Sequence, residues 1–343
     1  MGILRLFLAL SVVAGHTSSR VLGIPTIDAS AAVSLFFLIS GYYMSMVINT
    51  KYLKVPVKIF YLSRMLRLFP MYFVGLLIML CVNFHEVQKF FSDLGIISKL
   101  FYLISNLFVF GQDLPYTFCF DTQSQQCAMP VGMTINPPAW SLAVELGFYV
   151  VAPFIVRKSR NLILYIFIGL IYSICLRFIT TPILNDFLNI TNLNILNHYF
   201  FPSSFVFFGM GALAYRLNRK LTRLKPIIFL CGLILLSQSS LSISFWIPIF
   251  VAAGLPVIFD YSKENRVDRL LGELSYPVYI LHFPVIIFVS KYLNIESTGI
   301  LSQYTSGTIV SIITVVLSLV CVRIVEKPIS AIRTSMLKNS VIK

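Results

Sequence analysis

The sequence predicts an all-α, polytopic membrane protein, and three observations carry that reading. Of 343 residues, 57% are hydrophobic and only 12% charged, against about 25% charged in an average soluble domain, and the mean hydropathy is +0.85. Apolar stretches that match the roughly 30 Å of hydrocarbon in a bilayer recur at 3–22, 29–48, 68–84, 139–156, 161–180, 199–217, 226–241, 243–260, 274–291 and 304–325. The basic residues fall in short clusters between these stretches, as loops facing anionic lipid do.

Ten crossings with both termini cytoplasmic put 22 of the 27 Lys and Arg inside, leaving Arg20, Lys89, Lys99, Arg177 and Lys291. The segment 96–111 contains Lys99 and Asn106. Counting it as a full span would move Arg157, Lys158 and Arg160 outside, so it reads as a re-entrant or interfacial helix. The same clustering accounts for the net charge of +14, and no nucleic-acid partner is expected. The N-terminal span has no A-x-A-like cleavage site and reads as a retained helix. No extramembrane domain and no internal repeat is visible, so residues 1–343 read as one integral-membrane domain without an appended soluble domain. Cys119 and Cys127 share a polar loop; they form a disulfide if it faces an oxidising compartment and stay free thiols otherwise.

Within the first span, Arg5 and His16 are eleven residues apart. At about 100° and 1.5 Å per residue they share a helix face and lie roughly 16 Å apart along it. A buried ionisable group is costly, so His16 either does chemistry or bonds a neighbouring helix. Arg64 and Arg67, three residues apart, make a two-pronged cationic face suited to bidentate phosphate recognition; plain positive-inside flanking is the competing reading. In the second span, Ser34, Ser40 and Gly41 read as small residues packing beside the first helix and its Gly15, with a direct role for Ser40 the lesser alternative. Asn136-Pro-Pro-Ala-Trp140-Ser141 opens the 139–156 span from outside, with Trp140 at the interface belt. Glu145 then lies about one and a half turns in, where it either orients the His16 imidazole or is protonated or bonded to Tyr. His282, between Pro277 and Pro284, reads as satisfying carbonyls those prolines free. Glu326 either pairs with the Arg cluster or ends a helix in solvent. His85 and His198 lack metal-ligand spacing and take no role, and no metal is expected.

Six motifs occur in order: Arg5-x10-His16, Phe36-Phe37-x-x-Ser40-Gly41-Tyr42, Arg64-x-x-Arg67-x-x-Pro70, Trp140-Ser141-Leu142-x-x-Glu145-x-x-Phe148-Tyr149, Ser275-Tyr276-x-x-Tyr279-x-x-His282-x-Pro284, and Glu326-Lys-Pro328. In this set the chain resembles the membrane acyltransferase-3 family over nearly its whole length. The resemblance implies a bacterial inner-membrane O-acetyltransferase. It would move acetyl from cytoplasmic acetyl-CoA to a hydroxyl of a surface or lipid-linked sugar, with His16 and Glu145 catalytic and Ser40, Trp140, His282 and Glu326 in support. Arg5, Lys58, Arg64 and Arg67 would hold coenzyme A, its arm bringing the thioester to His16. A transporter for a small anionic or sugar substrate is the rival reading, using the same buried ions as a pathway.

Overall fold

The apolar stretches fold as helices because a backbone surrounded by lipid must satisfy its own N–H and C=O groups. A computed structural model describes residues 1–17, 20–21, 23–117, 135–179, 198–217, 243–293 and 302–342. It contains α1 (Gly2–Thr17), α2 (Ala29–Asn49), α3 (Val57–Val82), α4 (Phe84–Ser92), α5 (Ile96–Phe108), α6 (Leu114–Thr117) and α7 (Ala139–Ile155). These are followed by α8 (Ser159–Ile179), α9 (Phe205–Leu217), α10 (Ile243–Ser262), α11 (Arg266–Tyr292), α12 (Ser302–Cys321), a π-turn at Val322–Glu326, and α13 (Lys327–Ile342). Among the described residues five segments are long and apolar enough to cross a membrane: Ala29–Asn49, Val57–Val82, Ser159–Leu176, Arg266–Tyr292 and Ser306–Ser340. The expected span 226–241 and the Cys119/Cys127 pair lie outside the described residues.

Three expected boundaries move furthest, while the first span, expected to residue 22, ends at Thr17 and the helix expected from 199 starts at Phe205. The helix expected at 68–84 starts at Val57 and runs unbroken past Pro70, so Arg64 and Arg67 lie on the same helix as the span, on the shared face expected of them. The helix expected from 274 starts at Arg266, where the Asn265 side chain accepts from the Val267 and Asp268 N–H groups at 2.9 and 3.1 Å, an ordinary N-cap. The last span continues beyond 325 through the π-turn into α13.

α5 is polar inside and apolar outside. It buries Ser98, Tyr102, Ser105 and Asn106 and exposes Ile97, Leu100, Leu103, Ile104, Leu107 and Phe108, as expected where the surroundings are hydrocarbon. At 13 residues it reaches only about 20 Å. Its buried face is tied to α3: the Tyr72 hydroxyl donates to the Asn106 carbonyl at 2.8 Å and accepts from Gln112 Nε2 at 2.8 Å. Beside it, burial pushes the Asp113 carboxyl up to about 6, opposed by backbone N–H bonds at Asp113 and Phe201. The folded state therefore holds a proton more tightly than the unfolded chain. Its stability falls as pH rises between the unfolded value near 4 and the folded value near 6. Asp113→Asn removes that penalty. The substitution should raise the melting temperature by a few degrees near pH 8 and leave it unchanged near pH 4, measured in detergent across that range.

The bundle is centred on two close helix pairs. α1 and α11 run parallel, their starts so close that a Cβ on Gly2 would lie 1.6 Å from the Asp268 carbonyl oxygen. The Asp268 carboxylate caps α1, accepting from the Gly2 and Ile3 N–H groups at 2.7 and 2.9 Å. α2 crosses α9 equally closely: a Cβ on Gly41 would lie 2.0 Å from the Phe208 carbonyl oxygen, and one on Gly211 would lie 1.8 Å from that of Leu38. Gly41 thus serves α9 and not α1, correcting the sequence expectation. Gly15 meets α2 only at its first turn, facing the Ala29 methyl.

Candidate functional site

At the end of the bundle where α1 and α11 begin, a cavity of about 410 Å³ opens between α1, α2, α3, α7, α11 and α13. Six cations line it, Arg5, Lys51, Arg64, Arg67, Arg269 and Arg333, against three carboxylates, Glu145, Asp268 and Glu273. None of the six forms an ion pair among the described residues. Arg64 is nearly buried, 9% exposed. Its guanidinium lies 5.8 and 5.7 Å from the Tyr52 and Phe60 ring centres, and its Nε has no hydrogen-bond partner. Stacking on two rings fixes the plane of the fork while leaving donors free. Arg67, a further 300° around α3 by helix geometry and hence about 60° away, lines the same cavity.

Lys58 does not belong to this set. Nine residues before Arg67, it falls about 180° away on the helix; its side chain is exposed and off the cavity. Lys51, on the turn after α2, occupies the cavity wall instead.

Deeper in, Glu145 and Ser40 face each other across the cavity. The Ser40 hydroxyl donates to Glu145 Oε1 at 2.6 Å, and the Tyr149 hydroxyl donates to the same oxygen at 2.5 Å. Of the two expected partners for Glu145, His16 or a tyrosine, the structure shows the tyrosine, Tyr149 one turn along α7, and adds Ser40. Ser40 is a cavity residue as well as a small packing residue.

The deep end is closed by Tyr279, whose ring meets Phe36 edge-on at 5.7 Å and whose hydroxyl shares a 2.7 Å bond with Ser141. Beyond it stands His282, fully buried. Its Nδ1 lies 2.6 Å from the Tyr279 carbonyl oxygen. A carbonyl only accepts, so the proton sits on Nδ1 and Nε2 keeps its lone pair; Nε2 has no partner. The expected service to proline-freed carbonyls falls to a different residue: Asn136 Nδ2 donates to the Ile280 carbonyl at 3.2 Å, the acceptor that Pro284 leaves unpaired.

His16 lies next to His282, ring centres 5.3 Å apart, and meets Phe283 edge-on at 5.8 Å. Parallel pairing explains the meeting. Gly2 sits against Asp268, and His16 and His282 are each fourteen residues further on. His16 does not line the cavity. From the cavity outward the order is Tyr279, His282, His16, with Tyr279 and His282 ring centres 5.9 Å apart.

Of the remaining expected residues, Arg5 lines the cavity mouth. Trp140 is buried, 6% exposed, packed against Phe37, Tyr116, His198 and Tyr199. His198 in that cluster is held by burial at a pKa of about 4. Glu326 lines a second cavity of about 640 Å³ with Arg67 and Arg333, without an ion pair among the described residues.

The acyltransferase domain family matches residues 1–323. The chain belongs to this family. As an acyltransferase-family member it is 23% identical over 340 residues to O-acetyltransferase OatA of Staphylococcus aureus strains COL and MW2. The match covers 84% of this chain, and the chain spans about half the length of those relatives, 50%. No solved structure matches the chain.

Sequence reasoning missed Asp268, Arg269, Glu273 and Arg333. The three α11 residues follow Asn265 at spacings that put them on the face of Tyr276 and Tyr279, a signal present in the sequence. Arg333 sits in a C-terminal run that positive-inside flanking explains equally well.

Proposed function

We propose that this acyltransferase-family chain is a membrane O-acetyltransferase of a bacterial inner membrane. It takes acetyl from acetyl-CoA on the cytoplasmic side and passes it to a hydroxyl of a lipid-linked or surface sugar. The observation that carries the reading is the cavity whose six cations lack ion-pair partners among the described residues, in a chain of the acyltransferase domain family. Unpaired guanidinium groups at a membrane face suit a phosphorylated donor, and the OatA likeness favours acetyl over other acyl groups.

In this reading Arg5, Arg64 and Arg67 hold the donor's phosphates and its arm runs toward Glu145 and Tyr279. The acceptor oxygen attacks the thioester carbonyl carbon, the C–S bond breaks, and the thiolate leaves. His16 takes the hydroxyl proton and returns it to the sulfur. Because Tyr279 closes the cavity, the arm reaches His16 only when the Phe36–Tyr279 ring pair swings aside. Glu145 holds Ser40 and Tyr149 in place along that route.

The test is acceptor-dependent release of thiol from acetyl-CoA by purified protein in nanodiscs. Sugar flux without thiol release would instead make the chain a carrier. Arg67→Ala should raise KM for acetyl-CoA about 10- to 100-fold with kcat little changed, since hydrogen bonds between charged groups are worth about 1.5–3 kcal/mol. An unchanged KM would remove the phosphate clamp from the reading.

A further inference from the structure

The second cavity adjoins the first. Arg67, Glu273 and Arg333 line both, so these side chains are a shared wall and not the floor of either. Its far side is one face of α13: Lys327, Ser330, Thr334 and Lys338, three or four residues apart as a helix face requires, line it together with Arg333. The π-turn before α13 inserts an extra residue into the turn, rotating that face relative to α12. The family match ends at residue 323, so α13 lies outside it.

The size and charge of the paired cavities fit one ligand. The second holds about 640 Å³, within the range of about 300–1,000 Å³ usual for small-molecule sites. Together the two are lined by eight cations and four carboxylates. That net positive lining, in which Asp268 is already paired with the N-terminal ammonium, suits coenzyme A, which carries about four negative charges near neutral pH, two on its diphosphate and nearly two on its 3′-phosphate. The first cavity, at about 410 Å³ the smaller by volume and ending among aromatic rings, suits the donor's arm. The second also offers hydroxyl and amide groups, Ser330, Thr334, Ser335 and Asn339, of the kind that bond a ribose and a purine edge.

We infer that α13 completes the donor site: the second cavity receives the 3′-phosphoadenosine end of coenzyme A, with Arg333 and Lys338 on the 3′-phosphate and Arg67 at the diphosphate between the two cavities. This rests on the donor proposed above. Arg333 reaches both cavities and Lys338 only the second, so the two cations grade the site from the diphosphate outward. Lys338 is exposed, and its substitution leaves the packed core untouched.

Binding of coenzyme A and of dephospho-coenzyme A, which lacks the 3′-phosphate, is measured by calorimetry on the full chain in nanodiscs. Wild-type protein should prefer coenzyme A by about tenfold or more. Lys338→Gln and Arg333→Gln should each lower coenzyme A affinity several-fold and leave dephospho-coenzyme A affinity nearly unchanged for Lys338→Gln, so that the preference collapses. If Lys338→Gln and Arg333→Gln keep the wild-type preference while Arg67→Ala loses affinity for both ligands, the donor reading stands and the role of α13 is overturned. If wild-type protein binds neither ligand, the donor reading itself falls, and this inference with it.

Discussion

His16→Ala should lower acyl transfer by about 10²- to 10⁴-fold, the range that a positioned general acid–base contributes, while coenzyme A still binds with wild-type affinity. The split follows from position. The ring lies outside the cationic cavity, against His282 at 5.3 Å, so truncating it removes no phosphate contact. The neighbouring imidazole does not substitute for it. His282 is fully buried, with Nδ1 committed to the Tyr279 carbonyl, and is screened from a bound acceptor. Folding should survive, because the His16 side chain is exposed and its helix is fixed elsewhere, by Asp268 at its start. Single-turnover transfer from labelled acetyl-CoA measures the chemistry, and calorimetry with coenzyme A measures the binding. Transfer at the wild-type rate would take the imidazole out of the reaction.

Helix periodicity made much of this arrangement legible. Arg64 and Arg67 share a face at a three-residue spacing and both line the cavity. Lys58 was open to the same arithmetic, which places it opposite Arg67, and the expectation erred by grouping charges by proximity along the chain instead of by angle. Other features were not legible, because a helix face read from sequence does not say which neighbour it meets. Arg5 and His16 do share a face of α1, yet the cavity beside Arg5 is closed by Tyr279 of α11 before it reaches His16. Glu145 sits at a sequence depth that allowed His16 as a partner, and its oxygen is taken instead by Ser40 of α2 and its own helix neighbour Tyr149. Gly41 was legible as a close-approach residue, while α9 as the approaching helix was not. The sheer number of basic residues, 27, hid Arg333 among cations that positive-inside flanking explains equally well.

Gly211→Ala should be as damaging to the protein as any substitution inside the cavity, although Gly211 lines none of it. The new methyl carbon would sit 1.8 Å from the Leu38 carbonyl oxygen and 2.9 Å from the Tyr42 nitrogen. Both are backbone atoms of α2, so no rotamer change relieves the overlap and the helices must part. Overpacking of this kind costs about 1–3 kcal/mol and occasionally more, and the depth of this overlap puts it at the upper end. Parting α2 from α9 also loosens Phe208, which stacks on Phe148 at 4.2 Å and lies 4.9 Å from Phe37. The loss reaches the site because α2 carries Phe36, Ser40 and Tyr43 on the cavity wall; as α2 shifts, the Ser40 bond to Glu145 lengthens and KM for acetyl-CoA rises. Gly95→Ala is the matched control, since a Cβ there meets nothing within 4 Å. Thermal unfolding of both variants in the same detergent should put Gly211→Ala several degrees below wild type and Gly95→Ala, whose only cost is a weaker N-cap for α5, much nearer to it. Equal melting temperatures for the two would mean that the α2–α9 crossing is not the close contact described here.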